Sequence, residues 1–305
     1  MAPRLDTADV ELVRAQLLGA AQQRVASPDA HVAHVADSVA FGAHPYALVP
    51  EGVESSLRAI TVAQLRNYHA TQVVRSRMLL VVVGNVTRAQ VEGMVRRTLV
   101  RLPRGGYEWT PPPPLLENPG VTVVARQLPT NYILGYYAGP PATSEDYAAL
   151  RVASAVLAGS LFAEIRTRHN LTYAVDAPFI ERAVATGGVY VTTVAPDTTL
   201  ALMRRELDLL KSAMLTDRAL GQLVRRFITD YFLRNETNAD QANFLARAEL
   251  YEGGFREAER FVEELQRVTP EDVRRVAREY MNEFRFVYLG DPADVQVGRM
   301  EAWGR

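Results

Sequence analysis

TVAQLRNYHATQVVRSRMLLVVVGN, residues 61–85, and TPEDVRRVAREYMNEFRFVYLGD, residues 269–291, read as two versions of one unit. Each is a Thr-capped helix, a short break, and an apolar strand that ends in Gly and a polar residue. Leu65 and Val273 begin the buried stripes, Arg66 and Arg274 follow them, and Gly84 and Gly290 end the strands 23 and 21 residues beyond the caps. The preceding segments are alike too. ELVR at 11–14 matches QLVR at 222–225, and AHVAHVADSVAFG at 30–42 matches DQANFLARAELYEG at 240–253. A period near 208 residues means two copies of one domain rather than a solenoid. The alternative is a chance likeness between two ordinary helix–strand units.

The join between the copies is RGGYEWTPPPPLLENP, residues 104–119, in which Gly105 and Gly106 permit a turn and Pro111 to Pro114 stiffen an extended connector. A polyproline ligand for another domain is the rival reading of the four prolines. Residues 1–103 are then the back part of a first domain, and 120–305 a complete second one. Thr269 lies far deeper in its copy than Thr61 does in its own, so the first copy lacks about 88 residues at its front. A domain without that front would expose sheet edges and core surface. The chain therefore reads as a fragment of a longer polypeptide, or as a subunit completed by something else.

Apolar periodicity predicts helices at 7–25, 29–41, 62–73 and 87–100, and a strand at 78–84. In the second copy it predicts strands at 121–127 and 131–138, a helix at 144–158, and a short amphipathic helix from Leu161. Strands near 173–181 and 187–194 follow, then helices at 197–214, 216–234, 238–251, 256–266 and 270–281, and a last strand at 285–289. Gly159-Ser160 reads as the opening and N-cap of a helix, and Gly187-Gly188 as a turn. Strands grouped ahead of helices indicate an α+β fold: two tandem homologous domains of antiparallel sheet with helices on one face, the first N-terminally incomplete.

The bulk composition excludes more than it identifies. The 305 residues are 48% hydrophobic and 23% charged, with a net charge of −1, so there is no electrostatic reason to expect nucleic acid or an anionic membrane as partner. Lys211 is the only lysine. The absence of Cys excludes disulfides, thiolate ligands and a Cys nucleophile. The longest apolar runs, such as Met78 to Val83, are short for a bilayer, and the first residues lack the apolar core of a signal peptide.

LFAEIRTRHNLTYAV, residues 161–175, carries the most distinctive chemistry. Asn170 can close a helix in the left-handed conformation, with a strand starting near Leu171. Arg166 and Tyr173, seven residues apart across that junction, can then both donate hydrogen bonds to an oxygen gaining negative charge. The other reading pairs Arg166 with a carboxylate and buries Tyr173 in the core. Metal ligands are scarce. None of the five His has a second His four residues on, and His31 and His34 share a helix face with only Asp37 within reach, a pattern better suited to a solvated face. His44, before Pro45, reads as a turn residue. No Gly-x-Ser-x-Gly elbow and no phosphate loop is present.

Those fifteen residues, together with FGAHPY and EGVESSLRAIT within 41–61, VVVGNVTRAQVEGMV (81–95), GGVYVTTVAPDTTLALMRREL (187–207) and VTPEDVRRVAREYM (268–281), resemble the pitrilysin/insulinase (M16) family of zinc metallopeptidases. The likeness is greatest to the processing-peptidase type, and it covers essentially the whole chain. It implies tandem α+β domains, clamshell dimers around a peptide, and a zinc ion held by an inverted His-x-x-Glu-His helix and a more distant Glu in an N-terminal domain. It carries an Arg/Tyr pair that polarises the scissile carbonyl onto Arg166 and Tyr173. The zinc helix would fall in the absent front. The distant Glu should lie in the helix 7–25, which offers only Glu11, too early in register.

The resemblance thus implies a zinc-less subunit or fragment of a metalloendopeptidase, with no metal or cofactor of its own. It would bind peptide and supply Arg166 and Tyr173 to the zinc site of a paralogue or second copy, or of its parent protein. The alternatives are a non-catalytic assembly protein, as in some relatives within respiratory complexes, and a truncated active peptidase. Exported relatives point to the periplasm, with the cytoplasm as the alternative.

Overall fold

Six consecutive residues, Arg285–Gly290, form the strand around which the sheet is built. Phe286, Val287, Tyr288 and Leu289 are each 0–1% exposed, as befits a central strand with apolar layers on both faces. The computed structural model describes residues 3–110 and 119–304. The four prolines of the join lie outside the described residues.

In chain order the helices are α1 (Thr7–Ala26), α2 (Pro28–Phe41), α3 (Glu54–Ala59), α4 (Val62–Gln72) and α5 (Arg88–Thr98). After the join come α6 (Asp146–Leu161), α7 (Pro196–Ser212), α8 (Asp217–Arg234), α9 (Asn238–Tyr251), α10 (Phe261–Arg267), α11 (Pro270–Tyr280) and α12 (Gly298–Glu301). The strands are β1 (Gly120–Ala125), β2 (Asn131–Pro141), β3 (Val175–Asp176), β4 (Phe179–Ile180), β5 (Val184–Thr193) and β6 (Arg285–Gly290). They join in the order β1-β6-β2-β5-β3, with β4 also on β5. All pairings are antiparallel except β1 with β6, which is parallel and sets Val121 opposite Phe286. The α+β fold expected from the sequence is the one observed.

Alternation along the strands divides the core in two. Ile133, Tyr137, Val189, Val191, Phe286 and Tyr288 face the main core, where α6, α7 and α11 pack. Leu134, Tyr136, Val287 and Leu289 face the other way, onto Val32, Ala36, Ala40 and Phe41 of α2. A helix from the first part of the chain thus covers the sheet face that the later helices leave open. Polar contacts fasten it and the end of α1 there: Arg285 Nη1 donates to the Val39 carbonyl of α2 at 2.8 Å, and Arg126 donates to the carbonyls of Val25 and Ala26, the last residues of α1, at 3.0 and 2.9 Å.

Four expectations need correcting. Residues 78–84 form no strand, because nothing among the described residues lies alongside to pair with them. Gly187-Gly188 is not a turn but the middle of β5, where a Cβ on Gly187 would come within 2.0 Å of the Tyr137 ring and one on Gly188 within 2.6 Å of the Gly135 carbonyl oxygen. Glycine there makes room for neighbours instead of bending the chain. Gly159-Ser160 opens no helix, since α6 runs through it. The strand near 173–181 shrinks to the two-residue pieces β3 and β4.

Helix α6 and the turn that continues it, Asp146–Arg168, have the length to cross a membrane and contain an 18-residue stretch with a mean hydropathy of 1.5, unlike the apolar runs weighed from sequence. Their packing is that of a core helix. Leu150, Val152, Ala153, Leu157, Leu161 and Ile165 are at most 1% exposed, inside the main core.

Candidate functional site

Helix α6 does not stop at Leu161. Its last turns widen into a π-helical stretch, Phe162–Arg168, and Asn170 then reverses the chain with φ of +51°. Asn tolerates that left-handed conformation better than most residues, as the sequence predicted. The loop beyond is tied to the body at nearly every residue except one. Leu171 N–H donates to the Ile165 carbonyl at 3.0 Å, and Thr193 Oγ1 donates to the Leu171 carbonyl at 3.1 Å. Thr172 Oγ1 donates to the Ala174 carbonyl at 2.8 Å, and Thr192 N–H donates to that same carbonyl at 3.0 Å. Tyr173, in the midst of these anchors, projects outward and is 82% exposed. It lies just before β3 rather than inside a strand.

The Arg166 guanidinium carbon sits 4.8 Å from the centre of the Tyr173 ring and 5.0 Å from that of Phe162, which is 45% exposed. Each contact is a cation–π stack of ordinary reach. Among the described residues neither Arg166 nor Tyr173 has a hydrogen-bond or ion-pair partner. The pairing of Arg166 with a carboxylate is therefore absent, and so is burial of Tyr173. What the fold presents is a guanidinium and a phenol together on the surface, each with donors unspent.

Glu164 holds the far side of the turn. It is 4% exposed and accepts from Arg168 and Arg205, and its Oε1 is 3.1 Å from His169 Nε2. Burial pushes its carboxyl group up, but the hydrogen bond from Arg205, the charge of Arg168 and the His169 contact outweigh this and hold it below the ordinary carboxylate range. A buried carboxylate satisfied by three groups fixes the π-turn that carries Arg166. The sequence reading missed this residue. Its signal was nonetheless present, since Leu161, Glu164 and Ile165 fall on one helical face, which puts an acid on the buried stripe.

Beside this cluster opens a cleft of about 810 Å³ between α6, β3, β4 and α8, with Phe162, Val175, Phe179 and Phe227 on its walls. Arg151 and Arg247 both pair with Glu181 at its inner end.

Zinc finds no fit among the described residues, which include no group of three or more His, Cys, Asp or Glu arranged to hold an ion. His31 and His34 are not completed by Asp37, whose Oδ1 turns 3.6 Å from Arg182. Burial, then the charges of Arg126 and His34, lower the pKa of His31. His44 accepts from the Tyr46 N–H at 3.0 Å and caps a short 3-10 turn, in keeping with its turn reading.

Comparison with known proteins agrees with the fold. Residues 59–227 match the family model described as the peptidase M16 inactive domain. An uncharacterised zinc protease of Mycobacterium bovis is 26% identical over 286 residues, covering 90% of this chain and 65% of the relative. The chain thus spans somewhat less than two thirds of that relative's length. Among solved structures, a peptidase M16 inactive domain from Pseudomonas fluorescens superposes with a TM-score of 0.84 at 20% identity, over 95% of this chain and 72% of that one. A chain of the Candida albicans complex III dimer superposes with a TM-score of 0.78 at 17% identity, over 97% and 76% respectively.

Proposed function

Because the chain belongs to the peptidase M16 family, we propose that it is the zinc-less part of a metalloendopeptidase, binding peptide and presenting Arg166 and Tyr173 to a scissile carbonyl. The zinc ion would be held by a paralogue, a second copy or the parent protein, in a clamshell dimer around the peptide. The observation that carries this reading is the Arg166–Tyr173 stack: two hydrogen-bond donors held at the surface by a rigid turn, with nothing of their own to bond.

The chemistry asked of the pair is modest and well suited to it. A peptide carbonyl oxygen accepts hydrogen bonds from the guanidinium and the phenol, and it accepts them more strongly as attack on its carbon turns it into an oxyanion. Removing one such donor costs on the order of 100-fold to 1,000-fold in rate. Stacking on Tyr173 holds the guanidinium plane in place, so little motion is needed when charge develops.

The test is co-expression with a His-x-x-Glu-His paralogue and measurement of peptide cleavage. Arg166→Ala and Tyr173→Phe should each cut turnover by roughly that factor while leaving the complex assembled. Full activity in both variants overturns the assignment. The likeness to a chain of complex III favours a second reading, a structural subunit that keeps the fold without catalysis. Binding of a fluorescent peptide by the chain, abolished in Arg166→Ala, excludes that reading, because scaffolding requires neither side chain.

A further inference from the structure

Lys211 is the one lysine among the chain's 34 lysine and arginine residues, so it is the one strongly basic side chain able to lose its proton and act as a nucleophile. It sits in the last turn of α7, partly exposed, where that helix meets the end of α11. Its Nζ donates to Asn282 Oδ1 at 2.6 Å, and this neutral carboxamide is its only hydrogen-bond or ion-pair partner among the described residues. The carboxamide is fixed in turn, because its Nδ2 donates to the carbonyls of Arg278 and Glu279.

No carboxylate is left to hold an ammonium at this place. Asp208, on the preceding turn of α7, is taken by Arg204, whose Nε lies 3.0 and 3.2 Å from its two oxygens. Glu279 of α11 is paired with Arg275. Partial burial disfavours the charged form, the Arg204 guanidinium adds to this, and Asp208 opposes it only in part, so the group is pushed down to about 8. Arg278 supplies the remaining feature. Its Nε donates to the Lys211 carbonyl, and its Nη groups have no partner among the described residues, which leaves a guanidinium free for an anion brought to the amine.

We propose that Lys211 is a site of non-enzymatic acylation by small acyl phosphates. The Nζ lone pair attacks the acyl carbon; a C–N bond forms as the C–O bond to phosphate breaks, phosphate departs with the bonding electrons, and Nζ gives up one proton to water. Asn282 is a positioning residue, accepting one N–H and leaving the lone pair directed away from itself. The free Nη donors of Arg278 receive the phosphate. The product is a neutral amide whose remaining N–H can still donate to Asn282, so acylation discharges the junction of α7 and α11 without breaking it. The assignment goes beyond the peptidase reading and does not depend on it.

Acetyl phosphate added to the full chain at neutral pH tests it, with digestion and mass spectrometry to read the product. An isotope-labelled, N-terminally blocked peptide of residues 205–217 in the same tube is the reference for an ordinary lysine. Lys211 should acetylate roughly tenfold faster than the peptide lysine, because more of it is free amine, and its rate should level off near pH 8 where the peptide's climbs on to about pH 10. Asn282→Asp gives the ammonium a carboxylate and should slow the reaction about tenfold while moving the plateau upward. Arg278→Ala, at an exposed position, should slow transfer from acetyl phosphate but not from a neutral ester such as p-nitrophenyl acetate. A rate in the folded chain at or below that of the peptide, or a plateau no lower than the peptide's, overturns the proposal. An Arg278→Ala chain that reacts with acetyl phosphate at the parent rate overturns the choice of acyl phosphate, and an unchanged rate in Asn282→Asp overturns the role of Asn282.

Discussion

Asn170 shows how one backbone angle can set the geometry of the surface cluster. Its φ of +51° turns the chain from the π-stretch into the anchored loop, so that Tyr173 arrives over Arg166. Asn170→Gly should preserve both stability and the stack, whereas Asn170→Ala should cost about 1 kcal/mol, the usual penalty for a Cβ in the left-handed region. Chemical denaturation of the two variants checks this, and equal midpoints would remove Asn170 from the argument. Glu164 predicts a complementary effect. Glu164→Gln leaves Arg168 and Arg205 facing a neutral group, so the variant should melt at a lower temperature and hold the 169–174 loop less firmly, seen as faster exchange at Leu171. The Arg/Tyr spacing was readable in the sequence because it is local, and so was the Asn170 reversal. The Arg205 contact was not, since Arg205 comes from α7, far along the chain.

Elements obey the sequence where their pattern is long and fail where neighbours decide. The capped helices α4 and α11 lie within a residue or two of expectation, because both ends are set by local chemistry: a Thr cap and a loss of apolar period. The glycine pair in β5 misled for the opposite reason. Only the ring of Tyr137 on the adjoining strand explains Gly187, and strand pairing is not written locally. Gly187→Ala should therefore destabilise by about 1–3 kcal/mol through overpacking, with no change in turn geometry to relieve it. If a denaturation midpoint moves by less than a few tenths of that, the Tyr137 contact is softer than the geometry implies. Segment 78–84 makes the same point. Its composition is that of a strand, but a strand exists only as a pair.

At the scale of the whole molecule, carboxylates bridge elements that are distant in sequence, and this gives stability a pH dependence. Asp146 at the start of α6 accepts from Arg275 and from Tyr280 of α11, and the Arg275 hydrogen bond is the main reason its carboxyl group stays below the ordinary range. A depressed carboxylate contributes stability above its unfolded-state pKa and loses it as pH falls through the lower native value. Glu164 adds a contribution of the same sign. Glu252 and Glu264, raised chiefly by burial, act oppositely and gain as they protonate. Asp146→Asn should thus lower stability at neutral pH and narrow the gap from the parent protein on acidification; a gap that stays constant down to the acid limb would contradict the linkage.

The parallel pairing of β1 with β6 has a kinetic consequence. Val121 emerges from the ribosome long before Phe286, yet the two become neighbours in the sheet, and β2 also waits for β6 along Tyr132 to Tyr136. The sheet cannot close until β6 has left the ribosome, so the edges of β1 and β2 that it joins stay unpaired until then. Such late, sequence-distant closure slows folding and prolongs exposure to aggregation and to chaperones. Ribosome-stalled chains ending before residue 285 should be cut rapidly by protease throughout 120–194, and chains extended well past 304 should resist. Strand β6 is thereby a checkpoint: until it pairs with β1 and β2, the nascent polypeptide is not committed to this sheet topology.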